Sequence, residues 1–435
     1  MYLSGVATGV WGTGEGLPAI SGPGARPDTP PGEVPDCTPG ARAQLSGRAG
    51  DVPPPEQVLH KVRMREFIDG AEAIARGAIH SGCNFFAGYP ITPASSILLH
   101  MTRELPKVGG VAIQGEDEIA SMGFCIGAAM AGARVLTATS GPGISLYSEN
   151  VGLAIMGEVP MVIVDAQRMG PATGGATTVA QGDVQFLRWG TSGGFPVIVL
   201  APTDVAECYS FTRRAFDLAE RFRVPVFLAT DKETVLSKAT VDVMAWEEVP
   251  VRERSAAAAD APFIPYPKDA QQGVPAMSPV GGPHLVRFTT SSHDEKGYLS
   301  KSAAEVDALN RRLASKVEDH MDEIGMVEAD LEPGAEVLVL SYGITARAVK
   351  EAVRRRRAAG VALSSLTVQT LWPVPEGAIR AALEGVRRVV VPELNLGQYR
   401  LEVERVVQDF VEVRGVNRVD GELITADQIL EEVAA

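Results

Sequence analysis

Four short segments of the 435-residue chain carry groups whose type and spacing suit chemistry. Glu116-Asp117-Glu118 puts three acids ahead of a helix-forming stretch from Ile119. A helix N-terminus favours negative charge, which accounts for such a run by itself. If one of these carboxylates points into a cleft, repulsion and burial raise its pKa and suit it to proton exchange. In Gly88-Tyr89-Pro90-Ile91-Thr92-Pro93 two prolines stiffen the chain, so Thr92 presents its hydroxyl at a nearly fixed place, or simply caps the next helix. Thr139-Ser140-Gly141-Pro142-Gly143 combines glycines, which allow close approach, with helix-start amides that suit an anion. Arg168, within Gln167-Arg168-Met169-Gly170-Pro171, is either a surface arginine or a planar cation that forks onto a carboxylate. The Gly-rich stretch 170–182, with Thr173, Thr177 and Thr178, reads as a mobile segment beside such a site, or as plain disorder.

Other chemistries are excluded. The histidines at 60, 80, 100, 284, 293 and 320 lie outside these turns, and no G-x-S-x-G occurs, so nucleophilic hydrolysis has no machinery. Neither a Gly-Lys-Ser/Thr phosphate loop nor a G-x-G-x-x-G after the first strand is present. Cys37, Cys83, Cys125 and Cys208 lie far apart and form no disulfide framework or iron–sulfur ligand set. A net charge of −14 argues against nucleic acid as a partner and fits a cytoplasmic protein. No run of 18 apolar residues suggests a membrane span.

Positioning four turns in one place requires a regular scaffold. Short apolar runs alternate with helical stretches from Phe67 onward, with candidate strands at 84–88, 111–114, 134–139, 161–166, 197–200 and 226–229. That alternation predicts an α/β fold with a doubly wound, mostly parallel sheet, and in such sheets ligands bind beyond the carboxyl ends of the strands. All four turns follow candidate strands. A second α/β block follows Pro333-Gly334, with strands at 336–341, 363–370 and 388–391 and a helix at 345–359. Between the blocks, 236–332 reads as a long irregular linker carrying one amphipathic helix, 303–324. Residues 1–55 contain 11 Gly and 10 Pro without apolar periodicity, which predicts a disordered tail reaching to about residue 63.

Taken in order, the motifs resemble those of the alpha subunits of 2-oxoacid:ferredoxin oxidoreductases, most closely the 2-oxoglutarate type. The matching segments are GYPITP (88–93), QGEDEIA (114–120), TATSGPG (137–143), VDAQRMGP (164–171) and Gln181-Gly182-Asp183. Farther along stand HDEKG (293–297), TLWP (370–373) and PELNLGQ (392–398). The loop after Arg168 reads Thr173-Gly174-Gly175-Ala176-Thr177, where the family often has TGLPT.

The resemblance implies a thiamine diphosphate shared between two subunits. Residues 64–235 would form the pyrimidine-binding domain and 333–435 a transketolase-C-terminal-like domain. A beta subunit would bring the magnesium–diphosphate site and a [4Fe–4S] cluster, giving an αβ or α2β2 hetero-oligomer. Ferredoxin, coenzyme A and a 2-oxoacid, best read as 2-oxoglutarate, are the implied partners. Glu118 would hydrogen-bond the cofactor's pyrimidine nitrogen. Its nine-residue spacing to Gly127-Ala128-Ala129 favours it over Glu116. Thr92 and Arg168 would hold the substrate carboxylate, and Pro90, Ile91, Ser140 and Gly141 would contact the cofactor. A pyrimidine-binding subunit of another thiamine enzyme, of the dehydrogenase or split-transketolase type, and a non-catalytic scaffold of the same fold remain the alternatives.

Overall fold

The computed structural model describes residues 64–246, 249–408 and 411–435. These belong to a compact unit, His60–Ala435. The expected disordered tail lies outside the described residues.

Fourteen strands occur among the described residues. They are β1 (Arg65–Asp69), β2 (Phe85–Gly88), β3 (Val111–Gln114), β4 (Val135–Thr139), β5 (Met161–Gln167), β6 (Ile198–Leu200), β7 (Pro225–Asp231) and β8 (Lys238–Asp242), then β9 (Val327–Asp330), β10 (Val337–Ser341), β11 (Ser364–Val368), β12 (Thr370–Trp372), β13 (Arg388–Glu393) and β14 (Glu412–Asn417). A seven-stranded sheet has the order β12-β6-β7-β5-β4-β2-β3. Six of its strands are parallel. The seventh, β12, is an antiparallel edge strand. A five-stranded sheet, β14-β13-β10-β11-β9, is parallel except for β9. β1 and β8 pair antiparallel by themselves.

The sequence dictates this layering. β5 and β7 are buried at every position, as parallel strands covered on both faces must be. Their side chains alternate between two cores. Ile163, Phe227 and Ala229 pack with the helices Glu118–Met130 and Gly141–Met156. Val162, Val164, Val226 and Leu228 pack on the other face with Gly70–His80, Ser95–Glu104 and Val205–Phe222. The expected doubly wound sheet is therefore present. The first core continues without a break into one face of the five-stranded sheet through Leu338, Leu366, Trp372, Val391 and Tyr399.

Three elements depart from the sequence reading. The expected strand 363–370 is two strands: Gln369 and Thr370 both donate their N–H groups to the Met326 carbonyl, and the chain crosses from the second sheet to the edge of the first. The TLWP segment thereby ties the two sheets together. The expected helix 303–324 is broken into Ala303–Glu318 and Met321–Ile324, with His320 out of helical geometry and its ring against Phe222. The linker 249–302 is irregular but well anchored. Arg254 pairs with Glu220, and Arg223 donates to the carbonyls of Pro275 and Ala276.

The strongest anchor is Glu158, which is fully buried and held by Arg312 at 2.7 Å and Lys316 at 2.9 Å. Despite its burial, these cations hold its carboxyl down at about 2. Cys83, Cys125 and Cys208 are free thiols buried in the cores. No described helix is long and apolar enough to cross a membrane.

Candidate active site

The carboxyl ends of β2, β3, β4 and β5 lead into the four turns singled out by the sequence. After β3, Gly115 donates to the Gly88 carbonyl at 3.0 Å, joining the first two turns. Asp117 then caps the helix Glu118–Met130 by accepting from the Ala120 N–H at 2.7 Å. Of the three consecutive acids, Glu116 and Asp117 are exposed and Glu118 is buried, only 7% of its surface reaching solvent. The cap thus leaves Asp117 at the helix end and turns Glu118 inward. No described residue donates a hydrogen bond to the Glu118 carboxylate. A carboxylate on a mostly buried side chain with no described donor suits a ligand that brings an N–H.

The third turn packs directly on Glu118. A Cβ placed on Gly143 would lie 2.9 Å from Glu118 Cγ and 1.9 Å from Thr139 Oγ1, so only glycine fits. Ser140 stands at the N-cap of the helix Gly141–Met156 but makes no side-chain cap bond. The Thr139 and Ser140 hydroxyls are both buried without partners.

Arg168 is buried, 6% exposed, and not a surface residue. Its Nη1 donates to the Thr92 carbonyl at 2.6 Å and its Nη2 to the Thr173 carbonyl at 3.2 Å. Two of the five N–H donors of a guanidinium are thereby used, and Nε is buried without a partner. Burial lowers the Arg168 pKa, opposed by the charges of Asp183 and Glu118. Thr92 does not cap a helix: the cap of Ser95–Glu104 is Ala94, and the Thr92 side chain is exposed. The loop expected to be mobile folds back on itself. Met169 donates to Thr178, Gly175 donates to Met169, and Thr178 donates to Gly175.

A cavity of about 550 Å³ lies at this edge, lined among others by Arg168, Gly141, Ser145, Asp183, Phe186 and Asn395. Of the predicted site residues, Arg168 and Gly141 line it. Thr92 is bonded to Arg168, and Glu118 and Ser140 lie against the same turn. Pro90 is exposed and Ile91 leans on the opposite core, and neither borders the cavity. A larger cavity of about 730 Å³, walled by Trp189, Trp372 and Arg188, contains none of the predicted residues.

Sequence reasoning gave no role to two acids that the structure brings here. Asp165 in β5 is fully buried, and neither carboxylate oxygen has a partner. Burial, then the charge of Asp183, push its pKa well up. Burial pushes Asp183 up to about 6 in spite of Arg168. One signal was visible: an aspartate inside an otherwise apolar strand, MVIVDAQ.

The far wall of the cavity comes from PELNLGQ. Asn395 donates to the Gln181 carbonyl at 2.7 Å and to the Tyr342 hydroxyl at 2.9 Å. Gln398 donates to the Gly182 carbonyl at 2.6 Å and accepts from the Gln185 N–H at 3.0 Å. Glu393 accepts from the Tyr342 hydroxyl and from the Tyr399 and Arg400 N–H groups. The second block therefore fixes Gln181-Gly182-Asp183 from behind.

A doubly wound sheet with a mostly buried glutamate at its carboxyl edge is the arrangement that the family comparison assigns to thiamine-diphosphate binding. Residues 76–312, more than half of the chain, match the family described as pyruvate flavodoxin/ferredoxin oxidoreductase, thiamine diP-bdg. Residues 335–429 match pyruvate:ferredoxin oxidoreductase core domain II. The chain belongs to the alpha subunits of the 2-oxoacid:ferredoxin oxidoreductases. It is 42% identical to the 2-oxoglutarate synthase subunit KorA of Methanothermobacter marburgensis, over 84% of this chain and 98% of that one. It is 33% identical to the ketoisovalerate oxidoreductase subunit VorB of Methanothermobacter thermautotrophicus, over 85% of this chain and 97% of that one. Among solved structures it resembles a 2-oxoglutarate:ferredoxin oxidoreductase from Magnetococcus marinus, determined with 2-oxoglutarate, coenzyme A and succinyl-CoA bound. The TM-score is 0.81 at 31% identity, over 85% of this chain and 65% of that one.

Proposed function

We propose that this chain is the alpha half of an enzyme that oxidatively decarboxylates 2-oxoglutarate, forming succinyl-CoA and CO2 and passing the electrons to ferredoxin. The observation that carries the reading is Glu118: a mostly buried side chain without a described donor, lying where only a glycine at 143 leaves room for it, at the edge that also holds Arg168. Greater similarity to 2-oxoglutarate synthase subunits than to ketoisovalerate subunits supports the choice of substrate.

When bound, thiamine diphosphate supplies the electron sink for decarboxylation. Glu118 would hold a proton-bearing ring nitrogen of its pyrimidine. Arg168 is pinned by two carbonyls, so its remaining N–H donors are pre-aimed at a substrate carboxylate, and its burial strengthens that attraction. Thr92, tied to Arg168 through its carbonyl, keeps an exposed hydroxyl for the same ligand. Ser140 and Gly141 present a helix start to the cofactor.

A beta subunit would complete the site with the magnesium–diphosphate and iron–sulfur groups. The face it would cover is apolar and stands beside Glu118. Ile119, Phe124 and Leu146 are 50%, 48% and 46% exposed, and Gly123 and Gly127 have open space where a side chain would be. The two sheets would act as the pyrimidine-binding and transketolase-C-terminal-like domains, and the reaction would take place in the cytoplasm.

The test is Glu118→Gln in the co-expressed complex, with viologen reduction by 2-oxoglutarate and coenzyme A as readout. Most turnover should be lost while the subunits still co-purify. Undiminished turnover would reject the role of Glu118. Oxidation by the isolated chain would reject the shared site.

A further inference from the structure

The cavity contains one cation and one acid, and the position of the acid has a consequence for how a substrate binds. Asp183 borders the same cavity as Arg168 and feels its charge, though no ion pair between them occurs among the described residues. Its carboxylate stands over the start of the helix Gly141–Met156, where a Cβ on Gly141 would lie 3.1 Å from Oδ2 and 3.3 Å from Oδ1. Asp183 Oδ2 is buried and has no hydrogen-bond partner, while its backbone N–H is fixed on Gln167 Oε1 at 3.1 Å. The carboxylate is thus held where an incoming anion would meet both the helix start and Arg168.

We infer that Asp183 is the internal counter-ion of this site, standing in for the substrate carboxylate in the free enzyme and taking up a solvent proton when that carboxylate binds. This rests on the 2-oxoacid reading above.

The charges around Asp183 support the exchange. From β5 it faces Asp165, from just past the end of β5 Arg168, and from the helix Glu118–Met130 the same cluster includes Glu118. The segment Leu394–Gln398 offers only the neutral Asn395 and Gln398. Glu393 behind it is satisfied by three donors, and Asp231 is engaged with Thr234. Adding a substrate anion beside Asp183 and Glu118, with Arg168 the one cation among them, leaves excess negative charge, and the cheapest relief is protonation. Asp183 is the acid placed to accept the proton: of Asp165, Asp183 and Glu118 it alone borders the cavity, its Oδ2 has no donor, and burial pushes its carboxyl up to about 6. Its neighbour Asp165 lies within β5 with neither oxygen partnered, and burial together with the charge of Asp183 raises its pKa.

The sign follows directly. Above pH 6 the free enzyme carries ionised Asp183, and binding must draw a proton from solvent. kcat/KM for 2-oxoglutarate then falls by close to tenfold per pH unit, the limit for one linked proton. Asp183→Asn keeps the backbone bond to Gln167 and removes the charge. Its kcat/KM should be flat from pH 6 to 8, so the ratio of variant to wild type rises with pH. Both are measured in the alpha–beta complex, with Asp183→Ser as a second variant should Asn prevent assembly. A wild-type profile that is flat over this range, or a variant that keeps the wild-type slope, overturns the inference. A wild-type complex that does not oxidise 2-oxoacids at all overturns instead the reading on which it rests.

Discussion

Gly143→Ala is the sharpest probe of the site, because its effect can be worked from distances. The added carbon would lie 1.9 Å from Thr139 Oγ1, 3.1 Å from Thr139 Cβ and 2.9 Å from Glu118 Cγ. Ordinary contact begins near 3.4 Å. The hydroxyl can swing away by rotating about χ1, but the Thr139 Cβ is fixed in β4 and cannot retreat. The overlap with Glu118 must be relieved by moving that side chain by about half an ångström or by shifting the helix start. Overpacking of this kind costs about 1–3 kcal/mol of stability. Misplacement of a catalytic group by about 1 Å costs roughly a hundredfold in rate, so a shift of half that should reduce turnover by about tenfold or more. The assay pairs viologen reduction by the co-expressed complex with thermal unfolding of the chain. Thr139→Ala in the same background removes the worst clash and should restore much of the stability without restoring turnover. Wild-type turnover in Gly143→Ala, or full recovery of turnover in the double variant, would refute the idea that Gly143 sets the position of Glu118.

Three further outcomes follow from the same geometry. Glu158→Ala leaves Lys316 and Arg312 buried without their anion and should destabilise the fold by about 3–5 kcal/mol, read in denaturant titrations. The folded carboxyl titrates at about 2, below its unfolded range near 4.3, so the contribution of Glu158 is full above pH ~4.3 and is lost as the pH falls through 2. Arg168→Lys keeps a charge but cannot reach both the Thr92 and Thr173 carbonyls while presenting a fork. It should raise KM for the 2-oxoacid by roughly tenfold or more, measured across a substrate series. Asn395→Leu strands the Gln181 carbonyl, and the Gly397 and Gln398 N–H groups lose their acceptor. About 1–3 kcal/mol of stability should be lost, with a larger loss of activity than a remote core variant of equal stability shows.

Strands were the most legible feature of the sequence, because a strand covered on both faces is a short apolar run with little else to become. β3 was read to the residue, and β2, β4, β6 and β10 to within one. The pairs β1–β8 and β9–β11 were not read: REFID, KATVD and VEAD are half exposed and polar, and only the partner strand makes them strands. The break at Gln369 was equally invisible, since it depends on one carbonyl, that of Met326, accepting two N–H groups. At the site, the types of Glu118, Thr92 and Arg168 and their places after strands could be read from sequence. Which acid of Glu116-Asp117-Glu118 turns inward depends on which one caps the helix, and that is a matter of backbone angle.

Asp165 and Asp183 were overlooked for a different physical reason. Sequence reasoning looks for charges that attract something, and these two are defined by what does not reach them. Asp165 carries two oxygens without a donor, and Asp183 has one. A fold that only needed stability would fill such positions with apolar groups, because burying an unpaired carboxyl costs free energy and gains no packing. The cost is concentrated at one sheet edge, around one arginine, and next to a glutamate that also lacks a donor. The polar groups that the chain does satisfy there, Gln167, Asn395 and Gln398, all serve to hold the backbone of 181–185 and not to quench the acids. The edge is thus rigid in its backbone and unsatisfied in its side chains. That combination is what a site needs when its missing hydrogen bonds are to be made by cofactor, substrate and partner subunit instead of by the chain itself.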